Sequence, residues 1–75
     1  MNYKEMLEAA KSHRVTHPLM ESDDNKPFWI TFCEGCGYWH SKDGTALSDE
    51  EFQNDLQTGI TDNPALEEGW EIVNE

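Results

Sequence analysis

The sequence predicts a small α+β protein in which a helix, a β-hairpin, a second helix and a final strand form one domain over residues 1–75. Three patterns carry this prediction. Apolar residues recur at helical spacing near the N-terminus, a run of strand-forming residues follows, and a second helical segment opens on a strong capping signal. The final strand can add to the hairpin as the third strand of an antiparallel sheet.

The first helix is predicted over residues 3–14. Its apolar face consists of Tyr3, Met6, Leu7 and Ala10. Asn2 is the candidate N-cap, with Glu5 three residues later as in a capping box. Pro18 disfavours helical backbone at the residue before it, so the helix is expected to end before that point. Residues 21–26 are expected to form a polar loop.

The hairpin is predicted over residues 28–33 and 37–41, with Glu34 and Gly35 as a two-residue turn and Cys33 facing Cys36. The expected core face holds Phe28, Ile30, Phe32 and Trp39. The opposite face holds Trp29, Thr31, Cys33, Cys36, Tyr38 and His40. A one-residue shift in register would exchange the two faces. We favour the interpretation that the first helix covers the second face; the alternative is an aromatic contact surface for a protein partner.

The second helix has the clearest start signal. Ser48 is the candidate N-cap, Glu51 closes the capping box, and Gly59 is the expected stop. A short helical turn is predicted over residues 65–68 and a strand over residues 70–73.

Negative charge is concentrated in the second half of the chain. The net charge is −11, and no Lys, Arg or His follows Lys42. The acids in this stretch are Asp43, Asp49, Glu50, Glu51, Asp55, Asp62, Glu67, Glu68, Glu71 and Glu75. Such a field repels nucleic acid and anionic lipid, and it attracts basic protein surfaces.

These acids suggest a small interaction protein that mimics nucleic acid. Glu51 and Asp55 lie one helical turn apart, about 6 Å, which is close to the spacing of adjacent phosphates. The partner would be a basic groove, as in a polymerase or nuclease, and the effect would be inhibition; a phage origin suits so small and acidic a chain. The candidate contact residues are Asp49, Glu50, Glu51, Asp55, Glu67, Glu68 and Glu71, together with Trp29 and Tyr38. The alternative is a solvated face that keeps the protein soluble.

Cys33 and Cys36, followed by Gly37, have the spacing of a metal knuckle. Two thiolates on one turn can hold a single tetrahedral ion, which suggests a structural zinc and an adaptor function. The alternative is a reduced pair without metal. A redox function is the least favoured, because the pair follows a strand rather than opening a helix, and because Glu34 opposes a thiolate.

Histidines must complete such a site, since the chain has no further cysteine. His17 and His40 are the candidate ligands, and His13 is the remaining histidine. If a regular strand separates His40 from Cys36, the two lie about 13 Å apart, which is too far for shared coordination. His40 can join only if the chain curls after Gly37.

Other classes of function have little support. The sequence shows no catalytic Ser/His/Asp order and no phosphate-binding loop, so we do not expect an enzyme. There is no apolar run of about 18 residues and no apolar leader, and we therefore expect a cytosolic protein with reduced cysteines.

Overall fold

The computed structural model describes residues 1–20 and 28–73, and these contain two α-helices, a 3₁₀ helix and five strands. In chain order the elements are α1 (Tyr3–Ala9), β1 (Val15–Thr16), β2 (Ile30–Cys33), β3 (Tyr38–Ser41), β4 (Ala46–Ser48), α2 (Asp49–Asp62), the 3₁₀ helix (Pro64–Glu67) and β5 (Glu71–Ile72). This content confirms the predicted α+β class. The predicted loop over residues 21–26 lies outside the described residues. None of the described helices is long and apolar enough to cross a membrane.

The first helix begins as predicted and ends earlier. The side chain of Asn2 accepts a hydrogen bond from Glu5 N–H at 2.8 Å, and the Glu5 carboxylate accepts one from Asn2 N–H at 3.0 Å, which completes the capping box. The helix ends at Ala9 instead of extending to residue 14. The carbonyl of Ala10 accepts a hydrogen bond from Phe32 N–H at 2.9 Å, so the chain is held alongside residues 30–33 there.

The five strands of the described residues form one antiparallel sheet in the order β4-β3-β2-β1-β5. The prediction had three strands and omitted β1 and β4, because segments of two and three residues are too short to show an alternating pattern. The C-terminal strand joins the sheet, but it does not pair with the hairpin. Val15 pairs with both Ile30 and Ile72, so β1 lies between β2 and β5.

The hairpin register differs from the prediction by two residues. Cys33 pairs with Tyr38, and Phe32 pairs with Trp39, so a four-residue turn replaces the predicted two-residue turn. Gly37 ends this turn with a backbone φ of +73°. Because side chains alternate along a strand, a shift of two residues leaves each strand residue on its predicted face, whereas Cys36 lies in the turn and not on a strand.

The second helix is capped by Ser48, whose Oγ accepts a hydrogen bond from Glu51 N–H at 3.3 Å. The Glu51 carboxylate accepts from the hydroxyl of Ser48 at 3.2 Å. Gly59 is not the stop, since the helix continues to Asp62. A Cβ on Gly59 would lie 3.2 Å from Leu66 Cδ1, so glycine allows the 3₁₀ helix to pack closely against α2.

Both helices pack on the same face of the sheet. The core consists of Met6, Ala10, Val15, Ile30, Trp39, Leu56, Ile60 and Trp70. The ring of Trp39 stacks on Phe52 of α2 with 3.8 Å between centroids. The first helix therefore lies on the core face, and the prediction that it covers the opposite face is wrong. We call that opposite face, with Trp29, Thr31, Cys33, Tyr38 and His40, the outer face.

Candidate metal centre

The hairpin turn brings three metal-binding side chains together. Cys33 ends β2, Cys36 lies in the turn, and His40 is on β3. Their ligand atoms all lie within 4.8 Å of one another, and Cys36 Sγ is 3.5 Å from His40 Nε2. Tetrahedral zinc with typical bond lengths holds a sulfur and a nitrogen about 3.6 Å apart. These three residues, the metal triad, are therefore close enough to bind one metal ion.

His40 reaches the cysteines because the chain curls in the turn. The separation of about 13 Å assumed an extended chain from Cys36 onwards. In the structure Cys36 lies inside the four-residue turn, and the left-handed backbone of Gly37 reverses the chain before β3 begins. Cys33 pairs with Tyr38, so His40, two residues later, lies on the same face as Cys33. The chain after Gly37 is the regular strand β3, so the turn before this strand, and not a curl after Gly37, brings Cys36 within reach of His40.

Hydrogen bonds within the turn favour ionisation of one cysteine. Both are free thiols, and Cys36 N–H donates to Cys33 Sγ at 3.2 Å. The Cys36 thiol, followed by the Cys36 backbone N–H, lowers the pKa of Cys33. The same side-chain hydrogen bond raises the pKa of Cys36. Cys33 is therefore the first of the two to become a thiolate, the form that binds metal.

The metal triad is accessible from solvent. Cys36 and His40 are exposed, and Cys33 is half-buried. The cysteines lie between two strands, whereas thiol–disulfide enzymes place such a pair at a helix N-terminus. This geometry favours metal binding over redox catalysis.

His17 is not brought to the metal triad. It is buried, and its Nδ1 accepts a hydrogen bond from Leu19 N–H at 3.1 Å. Its Nε2 therefore carries the proton and donates to the carbonyls of Glu68, at 2.6 Å, and Ala65, at 3.0 Å. The ring packs edge-on against Trp70. Nε2 thus ties the segment after β1 to the end of the 3₁₀ helix, and Nδ1 is occupied by the local backbone.

The predicted acidic contact residues are all exposed, and they are Asp49, Glu50, Glu51, Asp55, Glu67, Glu68 and Glu71. Two of them also support the fold. Asp49 Oδ1 accepts a hydrogen bond from Trp39 Nε1 at 3.0 Å, and Glu51 takes part in the cap of α2. Glu50 and Asp55 are therefore better probes of binding than Asp49 or Glu51.

The two predicted aromatic contact residues share the outer face with the metal triad. Tyr38 is 47% exposed. The guanidinium of Arg14 lies over the ring of Trp29, 4.3 Å from its centroid. The outer face therefore combines an exposed aromatic residue, a cation on an aromatic ring and the metal triad.

The chain resembles no known protein closely enough to suggest a function, since no protein family, curated protein or solved structure matches it. The metal triad and the exposed surfaces are the observations on which a functional proposal can rest.

Proposed function

We propose that this protein is a zinc-stabilised interaction module whose outer face binds a protein partner. The observation that carries the proposal is the convergence of Cys33, Cys36 and His40 beside that face. Two thiolates and an imidazole are donors that suit Zn²⁺. The metal is structural in this proposal, and the chain acts by binding.

A bound ion would strengthen a core of limited size. The core of a protein as small as this one rarely supplies more than about 3–5 kcal/mol of stability. Binding to the native state adds about 4 kcal/mol when free zinc exceeds Kd by about 1,000-fold. The ion would join the end of β2, the turn and β3, and so hold the hairpin in its register. The cytosol, where thiols stay reduced, is the location that suits such a site.

The outer face has the residue types of a partner-binding surface. Aromatic residues and arginine are enriched where partner binding is strongest, and Tyr38, Trp29 and Arg14 supply them here. Tyr38 is directly opposite Cys33 in the sheet, which places this exposed ring beside the metal triad. Metal binding and partner binding would thus use one continuous surface.

Native mass spectrometry and thermal unfolding test the metal. We expect one zinc ion per chain, its loss on chelation, and a lower thermal midpoint after that loss. His40→Ala should weaken zinc binding, whereas His13→Ala, which alters another exposed histidine, should not. A chain that takes up no zinc under reducing conditions would show the proposal to be wrong.

The second candidate function is inhibition of a nucleic-acid-handling protein through the acidic surface. The exposure of all seven acidic contact residues favours it, because exposed carboxylates can meet a basic groove without refolding. In this proposal the chain occupies the groove of a partner such as a polymerase or nuclease, and does not itself bind nucleic acid.

A pair of matched charge reversals tests the acidic surface. A partner captured at low salt should bind the Asp55→Lys variant more weakly than Glu8→Lys, since both positions are exposed on helices but only Asp55 belongs to the proposed surface. The on-rate for association of the unmodified protein with this partner should fall steeply as ionic strength rises. If the partner still binds DNA or RNA with this protein attached, competition is not the mechanism. Tyr38→Ala then tests the outer face as the binding surface.

A further inference from the structure

The described chain provides three donors to the metal ion, and structural zinc takes four. Within residues 1–20 and 28–73, no fourth Cys, His, Asp or Glu joins the metal triad at the same close spacing. We propose that the fourth ligand is a histidine imidazole of a basic protein partner, so that the ion itself forms part of the binding interface. This inference rests on the zinc site of the proposed function.

The surface around the metal triad allows a partner side chain to approach. Cys36 and His40 are exposed, and Tyr38, on the same face, is 47% exposed. A fourth donor that enters from solvent therefore needs no movement of the helices, which pack on the other face of the sheet. Tyr38 lies where a partner residue next to the ligating histidine can contact it.

Charge selects imidazole as the donor. Two thiolates, from Cys33 and Cys36, already balance the charge of Zn²⁺, and a third thiolate would add a negative charge to a chain of net charge −11. A neutral imidazole adds none. The same negative field attracts a basic partner, which favours its histidine over one from a second copy of this acidic chain.

His13 is one described residue that could supply the fourth ligand from within the chain. Its carbonyl accepts a hydrogen bond from the hydroxyl of Thr31 at 3.1 Å, and Thr31 pairs with His40 in the sheet. The backbone of His13 is therefore near the metal triad, although its imidazole does not join it. The experiment must therefore distinguish His13 as the fourth ligand from a histidine of a partner.

Cobalt(II) in place of zinc makes the fourth position visible, because the visible absorption of the ion changes with its ligands. Imidazole added to the cobalt-loaded protein should change the spectrum saturably, with one imidazole per ion. The His13→Ala variant should respond as the unmodified chain does. Pyrrole, a flat ring without a donor lone pair, is the control and should have no effect.

A lysine-rich peptide with a single histidine tests the partner's chemistry. It should produce the same spectral change at a concentration at least about tenfold below that of free imidazole, and added salt should reduce this advantage. The same peptide with histidine replaced by alanine should produce no change. A histidine peptide that binds no more tightly than imidazole would overturn the assignment of a basic partner.

The remaining outcomes are decisive as well. If cobalt binds but imidazole has no effect, the fourth ligand is internal and the inference is wrong, while the zinc site stands. Should only the His13→Ala variant respond, His13 is that ligand. A chain that binds neither cobalt nor zinc overturns both this inference and the proposed function.

Discussion

His17 and His40 show how the surroundings of a residue decide its role. His17 is buried and its two ring nitrogens bond to backbone groups, whereas His40 is exposed and its Nε2 lies 3.5 Å from a cysteine sulfur. Composition alone makes the two equivalent as ligands. Only His40 has a ring nitrogen available for a metal, because the backbone already uses both nitrogens of His17.

Replacement of His17 by alanine should destabilise the fold. The carbonyls of Ala65 and Glu68 would lose a donor, and Trp70 would lose its packing partner, so we expect a loss of about 1–3 kcal/mol. His13→Ala, at an exposed position, should change stability by less than about 0.5 kcal/mol. Urea unfolding with a chelator present measures both. Equal losses would mean that the His17 hydrogen bonds contribute nothing specific.

The two cysteines should differ in reactivity when no metal is bound. The pKa of Cys33 is lowered by the hydrogen bond from the Cys36 thiol, and that of Cys36 is raised. Iodoacetamide reacts with thiolate, so Cys33 should reach half of its maximal rate at a lower pH than Cys36. Cys36→Ala should move the profile of Cys33 to higher pH. A half-maximal pH for Cys36 at or below that for Cys33 would contradict this order, and peptide mass spectrometry can follow the modification of each cysteine.

The hairpin turn is the element that builds the candidate site. Its four residues reverse the chain and bring Cys36 close to both Cys33 and His40. Gly37 has a left-handed backbone with φ of +73°, a conformation that side chains with a Cβ disfavour. The geometry of this turn therefore controls whether His40 can join the cysteines.

Gly37→Ala should destabilise the protein by about 1–2 kcal/mol and weaken zinc binding. No heavy atom lies within 4 Å of the added Cβ, so the cost comes from backbone conformation and not from a clash. Gly35→Ala is the matched control, since it is equally open and has no positive φ. Urea unfolding and zinc titration measure the two effects. If both variants behave alike, the left-handed turn is not what positions Cys36.

The charge of the molecule as a whole acts against its compact state. The net charge of −11 is carried on a body of 30 × 27 × 20 Å. The described ion pair between Lys11 and Glu8, at 3.3 Å, involves none of the acids after Lys42. Repulsion among these acids is therefore expected to lower stability at low salt.

Moderate NaCl should raise the thermal midpoint of the metal-free protein. The Debye length falls from about 30 Å at 0.01 M to about 10 Å at 0.1 M. At the lower concentration repulsion acts across the whole molecule, and at the higher one it acts mainly between neighbours. A Glu50→Gln/Asp55→Asn variant, with two fewer charges, should show a smaller increase. A midpoint that stays flat or falls would mean that the acids are already neutralised locally.

The features that the sequence predicts well are those that depend on residues close together in the chain. Helix caps depend on side chains three residues apart, and the Asn2 and Ser48 caps were correctly located. Alternation along the hairpin assigned Ile30 to the core face and Tyr38 to the opposite face, although it did not show that the opposite face is left uncovered. The cysteine spacing and the one-signed charge are likewise direct properties of the chain. Each of these depends on local periodicity or composition, which needs no knowledge of distant contacts.

Only the tertiary structure decided which strands pair and which histidine joins the cysteines. β1 has two residues, and it forms a strand because β2 and β5 flank it, a contact between distant parts of the chain. The register of the hairpin followed from its turn, and that register brought His40 to Cys36. His17 is held in its buried position by hydrogen bonds to the carbonyls of Ala65 and Glu68, about fifty residues away in the sequence. Contacts between residues far apart in the chain fixed the place of β1, His40 and His17. The spacing of neighbouring residues does not contain this information.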